Sequence, residues 1–528
     1  MAKEKTNRFL LLFIAFWEGA TVMACELFGA KMIAPFFGTT IYSWAGVLAV
    51  TLGGLAVGYY LGGWLTTKYK AIKLLIIILI SSGVFMLLMP FISNGVMSAA
   101  MNMNILSGLV LSLLVFLFPP IIFFGMVSPV IIHALVSSVD ATGKTAGRVY
   151  AISTVGGVLN TLFLGFYVIP EFGIKIPTLI YGAIILVLPL LLIQKKRKLP
   201  TALILIFAIA IIFKVQTSGS ENDSRQMFNI SYSSEGLLGQ IKVMDYGLKM
   251  DSFGILPIRG LLVNNTWQTV INSNDMTGLL DYIYFMRPLF SAYPAKADVL
   301  LIGLGGGTLC SEIQKKSLNV DVVEIDKRLK EISYRYFGLD RKTNIIIDDG
   351  RHYLNKVEKK YDIIVFDAFL GENPPWHLLT LESFQRVKEL LKPDGSLFIE
   401  FYGYIEGETG LSGRSVYRTL IEAGFKTDII ATSDEDGIER NFIYVASEKE
   451  FNFNNLDYSG LKYTDKKIDD LNKFLLNTKE IDFTNAITLT DDCPALEKML
   501  MNPALDWRKS LNKLFRNNLI EQNQPIYY

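Results

Sequence analysis

The chain is poor in the residues that build metal centres and disulfide frameworks. Its 528 residues include three cysteines and three histidines. Cys25, Cys310 and Cys493 stand far apart and form no C-x-x-C pair, which argues against a zinc site or a disulfide framework. His133, His352 and His377 are as scattered, so no metal is expected. A charge surplus is also lacking: 51 Lys+Arg face 50 Asp+Glu. Without a basic excess, nucleic acid is not an expected partner. No cleavable signal is evident, because the first apolar run has no small-residue cleavage site and carries Glu18 and Glu26.

Charge is scarcest between residues 9 and 216, where long uncharged runs lie. A spanning helix needs about 20 mostly apolar residues. Six segments satisfy this: 9–29, 41–64, 73–93, 104–133, 147–169 and 174–193. The expected partner of this half is a lipid bilayer. Pro119-Pro120 predicts a kink in the fourth segment, and Ser128-Pro129 a second weak point. A seventh run, "TALILIFAIAIIF", has 13 residues from Thr201. At 1.5 Å per residue it reaches only about 20 Å, short of a hydrocarbon core of about 30 Å. Lys3, Lys5, Arg8, Lys68, Lys70, Lys73, Lys144, Arg148 and the run 195–198 fall on one side of these segments. Basic loops favour the cytoplasm, so the amino terminus is expected inside. If the seventh run does not cross, the soluble half is cytoplasmic too. Gly54, Gly58 and Gly62 repeat every four residues and would let a neighbouring helix approach closely. Glu18 and Glu26 are carboxylates in an apolar helix, which is costly and raises the question of function. Glu26 could pair with Lys31. Glu18 has a functional and a structural reading of equal weight.

The pattern changes near residue 225. "GQIKVMDYG" and "GLLVNNTWQTVI" alternate like strands and suggest a small β region. Then strands and helices alternate. "DVLLIGLG", "VDVVEID", "NIIIDDG", "YDIIVFDAF" and "GSLFIEFYG" read as strands, each but the last followed by a helical stretch. That order implies a doubly wound α/β sheet, with ligands at the carboxyl ends of its strands. Chemistry-bearing residues lie at those ends. Gly303, Gly305, Gly306 and Gly307 follow the first strand, where backbone must pass close to a ligand. Glu324 ends the second, 21 residues after Gly303, and a carboxylate there can accept two ribose hydroxyl protons. Asp348, Asp349 and Gly350 end the third, and Asp367 the fourth. Thr308 stands where G-x-G-x-x-G would need its last glycine, which disfavours a nicotinamide dinucleotide. A third-strand Asp suits the exocyclic amine of adenine. The combination suits S-adenosylmethionine or its decarboxylated form as co-substrate.

Through "LLIGLGGGTL", "VDVVEID", "IIIDDGRHYL" and "YDIIVFDAF" the chain resembles the spermidine synthase (polyamine aminopropyltransferase) family. The wider pattern resembles its membrane-fused branch, through "FPPIIFFGMVSP", "GRVYAISTVGGVLNTLFLGF", "DAFLGENPPWHLLT" and "LTDDCPALE". The resemblance implies a multi-span α-helical membrane domain fused to a Rossmann-like, class I S-adenosylmethionine-type α/β domain with a small β region before it. The expected boundaries are 1–216 for the membrane domain, 225–290 for the β region, 291–450 for the nucleoside-binding domain and 451–528 for a carboxyl-terminal extension. It assigns Gln268 to the methionine part of the donor, and Gly303, Gly305, Gly307, Glu324, Asp349 and Gly350 to its nucleoside. The acceptor side departs from the family. Thr308 replaces an Asp of the glycine loop, Tyr282-Ile283 replaces a Tyr-His pair, and Leu370 replaces a catalytic Asp. Asp367 would place the attacking amine. Glu372 or His377 could take its proton. Glu372 also reads as a loop surface charge and His377 as a helix-start polar residue.

Three functions follow as expectations. The first is a membrane-bound transferase using decarboxylated S-adenosylmethionine or S-adenosylmethionine, with aminopropyl transfer to a small-molecule amine as the family default. The second is methyl transfer to a membrane-delivered acceptor. The third is a transporter or sensor gated by a nucleoside ligand, motivated by Glu18 and the glycine-rich second helix. A homo-oligomer stays open.

Overall fold

The computed structural model describes residues 8–38, 41–100, 103, 105–136, 138–192, 228–236, 238–250, 254–368, 375–433, 440–463, 467–493 and 495–500. It falls into two compact units, a largely helical one of Met1–Arg225 with Ser234–Gln240 and Asn512–Tyr528, and an α/β one of Gln226–Ser233 with Ile241–Leu511.

The helical unit holds α1 (Arg8–Phe37), α2 (Ile41–Thr66), α3 (Ala71–Ala100), α4 (Ile105–Phe116), α5 (Phe118–Leu135), α6 (Thr142–Phe163), α7 (Ile169–Phe172) and α8 (Lys175–Val187). Among the described residues, five helices are long and apolar enough to cross a membrane: Arg8–Phe37, Ile41–Thr66, Ala71–Ala100, Phe118–Leu135 and Thr142–Val168. The sixth expected segment is a shorter apolar helix, Lys175–Leu191, whose α-helix gives way to a 3₁₀ turn at Leu188–Leu191 containing Pro189. The seventh run lies outside the described residues.

The expected kink falls between α4 and α5. Leu117 keeps helical dihedrals and donates to Leu113 O at 3.0 Å, but Pro119 and Pro120 have no N–H to give the preceding turn. Pro129, by contrast, stays inside α5. The glycine repeat of α2 seats that helix on α5. A Cβ at Gly58 would lie 2.4 Å from Ile122 O, one at Gly62 2.8 Å from Met126 Cα, and one at Gly54 2.8 Å from Ile121 Cγ2. Glu18 is buried, and its Oε2 accepts from Ser153 Oγ at 2.8 Å and Ser128 Oγ at 3.3 Å, so it ties α1 to α5 and α6. Glu26 forms no ion pair with Lys31 among the described residues. Five residues along a helix place two side chains roughly 140° apart around the axis, which keeps them from meeting.

The α/β unit opens with a four-stranded sheet in the order β1 (Phe228–Ser234), β2 (Ile241–Met250), β3 (Gly254–Val263), β4 (Thr266–Asn272). The main sheet has seven strands: β5 (Asp298–Ile302), β6 (Asn319–Glu324), β7 (Asn344–Ile347), β8 (Tyr361–Phe366), β9 (Leu391–Gly403), β10 (Lys426–Ala431) and β11 (Arg440–Ser447), in the order β10-β11-β9-β8-β5-β6-β7. Strands β5 to β9 occupy the five runs expected from sequence and pair in parallel. The sheet is mixed rather than wholly parallel, because β11 runs antiparallel between β9 and β10. Alternate residues of the buried strands face two apolar layers. Ile363, Val365 and Phe398 join Tyr282, Phe285 and Leu309 on one side; Ile364, Phe366, Leu397 and Ile399 join Phe384 and Val387 on the other. The strand order reverses at β5, between β6 and β8, and this is where such sheets open a ligand crevice.

Candidate active site

Strand register alone brings the acidic residues into line. Ile302 pairs with Val323 on β6 and Phe366 on β8, and Phe366 pairs with Ile399 on β9. The next residue of each strand therefore stands at one level of the carboxyl edge: Gly303, Glu324, Asp367 and Glu400. Hydrogen bonds extend the alignment past the strands, from Gly303 N–H to Val323 O and from Asp367 N–H to Ile302 O, both 2.9 Å.

The loop 303–307 shows why glycine is needed there. Gly303 has φ +100°, and a Cβ on it would lie 2.0 Å from Asp367 O. Gly305 and Gly307 also have positive φ, and Gly307 leads directly into a helix, Thr308–Lys315. Glu324 staples this loop. Its Oε2 accepts from Leu304 N–H at 2.9 Å and its Oε1 from Asp326 N–H at 2.7 Å. Burial pushes its carboxyl up to about 7, against the pull of those N–H donors. Each oxygen keeps a further lone pair for a ligand hydroxyl.

Strand β4 closes the loop from the other side. Thr269 Oγ1 accepts from Gly306 N–H at 2.9 Å, and a Cβ on Gly305 would come within 3.0 Å of the same oxygen. Leu261 pairs with Thr269 but Leu262 with Trp267, so Gln268 is the extra residue of a β-bulge. Bulges re-aim side chains beside functional sites, and this one sets Gln268 next to Gly305. Thr269 was not legible in sequence, since its role depends on β4 reaching the loop.

At the end of β7 the two aspartates separate. Asp348 turns to His352 and Lys356, and its carboxyl is held below the usual range by Lys356 first. Asp349 caps the following helix, Gly350–Lys356, by accepting from His352 N–H at 3.0 Å. His377 Nε2 stands 3.4 Å from Asp349 Oδ2, so the structure brings these two together. A Cβ on Gly350 would lie 2.6 Å from Ile302 Cγ2. Glu372 and Leu370 lie outside the described residues.

A second cluster of polar side chains centres on Asp367. Tyr282 Oη donates to its Oδ2 at 3.2 Å. Glu400, on the adjacent strand, is 6% exposed. Burial lifts both carboxyls above their usual range, and Asp367 lifts Glu400 further. Thr308 Oγ1 is buried with no hydrogen-bond partner among the described residues, and Thr308 Cγ2 lies against Gly278 beside Ile283. Sequence reasoning passed over Glu400, although a carboxylate inside the apolar run "GSLFIEFYG" was the available signal.

Residues 287–401 match the family described as spermine/spermidine synthase domain. The chain is 37% identical over 116 residues to a polyamine aminopropyltransferase of Vibrio vulnificus, covering 21% of this chain and 38% of that protein. It is 31% identical over 177 residues to the polyamine aminopropyltransferase of Methanocaldococcus jannaschii, covering 32% of this chain and 58% of that protein. An N-terminal histidine N-methyltransferase of Emericella nidulans is 34% identical over 128 residues, 23% of each chain. Among solved structures, a probable spermidine synthase from Corynebacterium glutamicum aligns at 19% identity and TM-score 0.35, over 44% of this chain and 82% of that one. The chain thus spans about half the length of the aminopropyltransferases it matches.

Proposed function

We propose that the protein is a membrane-bound transferase that moves the aminopropyl group of decarboxylated S-adenosylmethionine to an amine. The observation that carries this reading is the shared level of Gly303, Glu324 and Asp367 at the sheet's switch point. The glycine loop and Glu324 would hold the nucleoside, with Asp349 towards the adenine amine and Gln268 towards the sulfonium arm. The amine nitrogen attacks the carbon next to the sulfonium, the electron pair of the broken C–S bond goes to sulfur, and methylthioadenosine leaves. The protein's tasks are orientation, proton removal and exclusion of water. Five apolar helices support attachment to a bilayer. The basic loops and the shortness of the run from Thr201 support a cytoplasmic α/β unit.

A methyl-transferring relative makes S-adenosylmethionine the competing donor. The test is product analysis of the full chain with each donor and a panel of amines. Methylthioadenosine with an aminopropylated amine supports the proposal. S-adenosylhomocysteine with a methylated product would replace it by methyl transfer.

A further inference from the structure

We propose that residues 489–491 of the late motif "LTDDCPALE" latch the wall of the nucleobase site, and that Asp491 is a positioning residue acting there through Arg351 and His377. The inference deepens the transferase reading and rests on its nucleoside site. Its first support is a carboxylate used at both oxygens. Asp491 Oδ2 accepts from Arg351 Nη2 at 2.7 Å, and its Oδ1 from Thr380 Oγ1 at 2.6 Å. The same Thr380 oxygen accepts from Ser383 N–H at 3.3 Å and so caps the helix Leu381–Leu390. Main-chain groups join the latch: Leu381 N–H donates to Leu489 O at 2.8 Å, and Asp491 N–H to Glu382 Oε2 at 3.0 Å. The second support is a grip on His377 from two sides. Arg351 Nη1 donates to its carbonyl at 3.3 Å, while its Nε2 stands 3.4 Å from Asp349 Oδ2. Between Asp349 and Arg351 lies Gly350, where a Cβ would come within 3.3 Å of Leu378 Cδ1, so residues 377–378 lie down on the start of the helix Gly350–Lys356. Packing is the third. Leu489 is buried in one apolar layer with Leu378, Leu379 and Phe384.

Asp491 is half-exposed, and an ion pair so placed adds little to stability. What it adds here is position. By taking Arg351 on one oxygen and Thr380 on the other, it fixes the spacing between the helix that follows Asp349 and the segment that carries His377. Asp349 Oδ1 is already engaged by His352 N–H in capping, so Oδ2 is the oxygen left for a ligand. A nucleobase amine offers N–H donors that need this acceptor at one place. His377 beside Oδ2 holds the carboxylate in one orientation and leaves it a further lone pair for the amine. Losing the latch would free the segment 376–380 to shift, and the Asp349 carboxylate to turn with it.

Calorimetry on the full chain in detergent tests this with two probes, methylthioadenosine and its analogue lacking the 6-amino group. D491A should bind methylthioadenosine about 5- to 10-fold more weakly, the factor of one hydrogen bond. It should bind the amine-free analogue as the wild type does, which also reports that the variant is folded. H377A should show the same selective loss, and D491A/H377A no more than H377A alone, because both residues act through one contact. D491N, which keeps the side-chain shape, should lose affinity in the same direction and by less. Equal weakening of both probes in D491A, or in D491N where D491A does not melt cooperatively, marks a structural role only and overturns the inference. So does unchanged methylthioadenosine affinity in D491A, and so do losses that add in the double variant. A wild type that binds neither probe overturns the nucleoside reading and this inference with it.

Discussion

Replacing Glu324 by Gln should remove a loss of stability that the wild type suffers between about pH 5 and 7, while weakening nucleoside binding. The folded protein holds this buried carboxyl at about 7, against a reference value of 4.5. Between those two values the folded state binds more protons at this site than the unfolded state. Stability therefore falls as pH rises through the window and levels off above about 7. At 1.36 kcal/mol per unit, the full cost of keeping the group charged is about 3 kcal/mol. Gln does not titrate, so E324Q should escape that cost, but its NH2 would face one of the two N–H donors and forfeit about 1–3 kcal/mol at every pH. Thermal melts of the full chain in detergent should show E324Q below wild type near pH 5, with the gap closing towards pH 8 as only the wild type loses stability. Binding should move the other way. A ribose hydroxyl donates best to the carboxylate, so wild-type affinity for methylthioadenosine should rise from pH 5 to 7. The gap to E324Q at pH 8 should reach about 10- to 100-fold, the worth of a hydrogen bond to a charged group. An E324Q protein that keeps the whole wild-type fall in melting temperature between pH 5 and 8 and binds methylthioadenosine normally would refute the reasoning.

Gly303→Ala should abolish methylthioadenosine binding and lower the melting temperature, because its Cβ would sit 2.0 Å from Asp367 O at φ +100°; normal calorimetric binding would show that the loop is elsewhere in solution. In the helical unit, Gly58→Val should sharply reduce the yield of monodisperse detergent-solubilised protein, since a Cβ there meets Ile122 O at 2.4 Å, whereas Gly53→Ala and Gly63→Ala meet nothing within 4 Å and should be tolerated. Size-exclusion profiles of the three variants give the comparison, and equal behaviour would dismiss the close approach of α2 to α5. For the proposed orientation, Ser220→Cys in a background lacking Cys310 and Cys493 should resist a membrane-impermeant thiol reagent on intact cells and react after lysis. Labelling before lysis would place the α/β unit outside.

The sequence by itself determined the elements and the edge where chemistry gathers. Periodicity marked β5 to β9, because buried parallel strands must be continuously apolar, and each run ended on the glycine or carboxylate that cannot be buried in its middle. It also marked the apolar helices and the glycine face of α2, since a repeat of four is local information. Tertiary structure decided everything that depends on which strands are neighbours. Glu324 is a ribose candidate in sequence and also a staple of the glycine loop in space, because the Leu304 N–H that donates to it reaches it only when β5 and β6 pair, whereas the Asp326 N–H is a local donor two residues on. Asp348 and Asp349 are adjacent in sequence yet face different partners, since helix capping claims one and surface lysine and histidine the other. The bulge at Gln268 and the insertion of β11 arise from pairing register, which no single run records. Glu400 is the clearest case. Within its own strand it is one carboxyl among apolar residues; only the register of β9 on β8 sets it beside Asp367, 33 residues away along the chain, as a second buried acid.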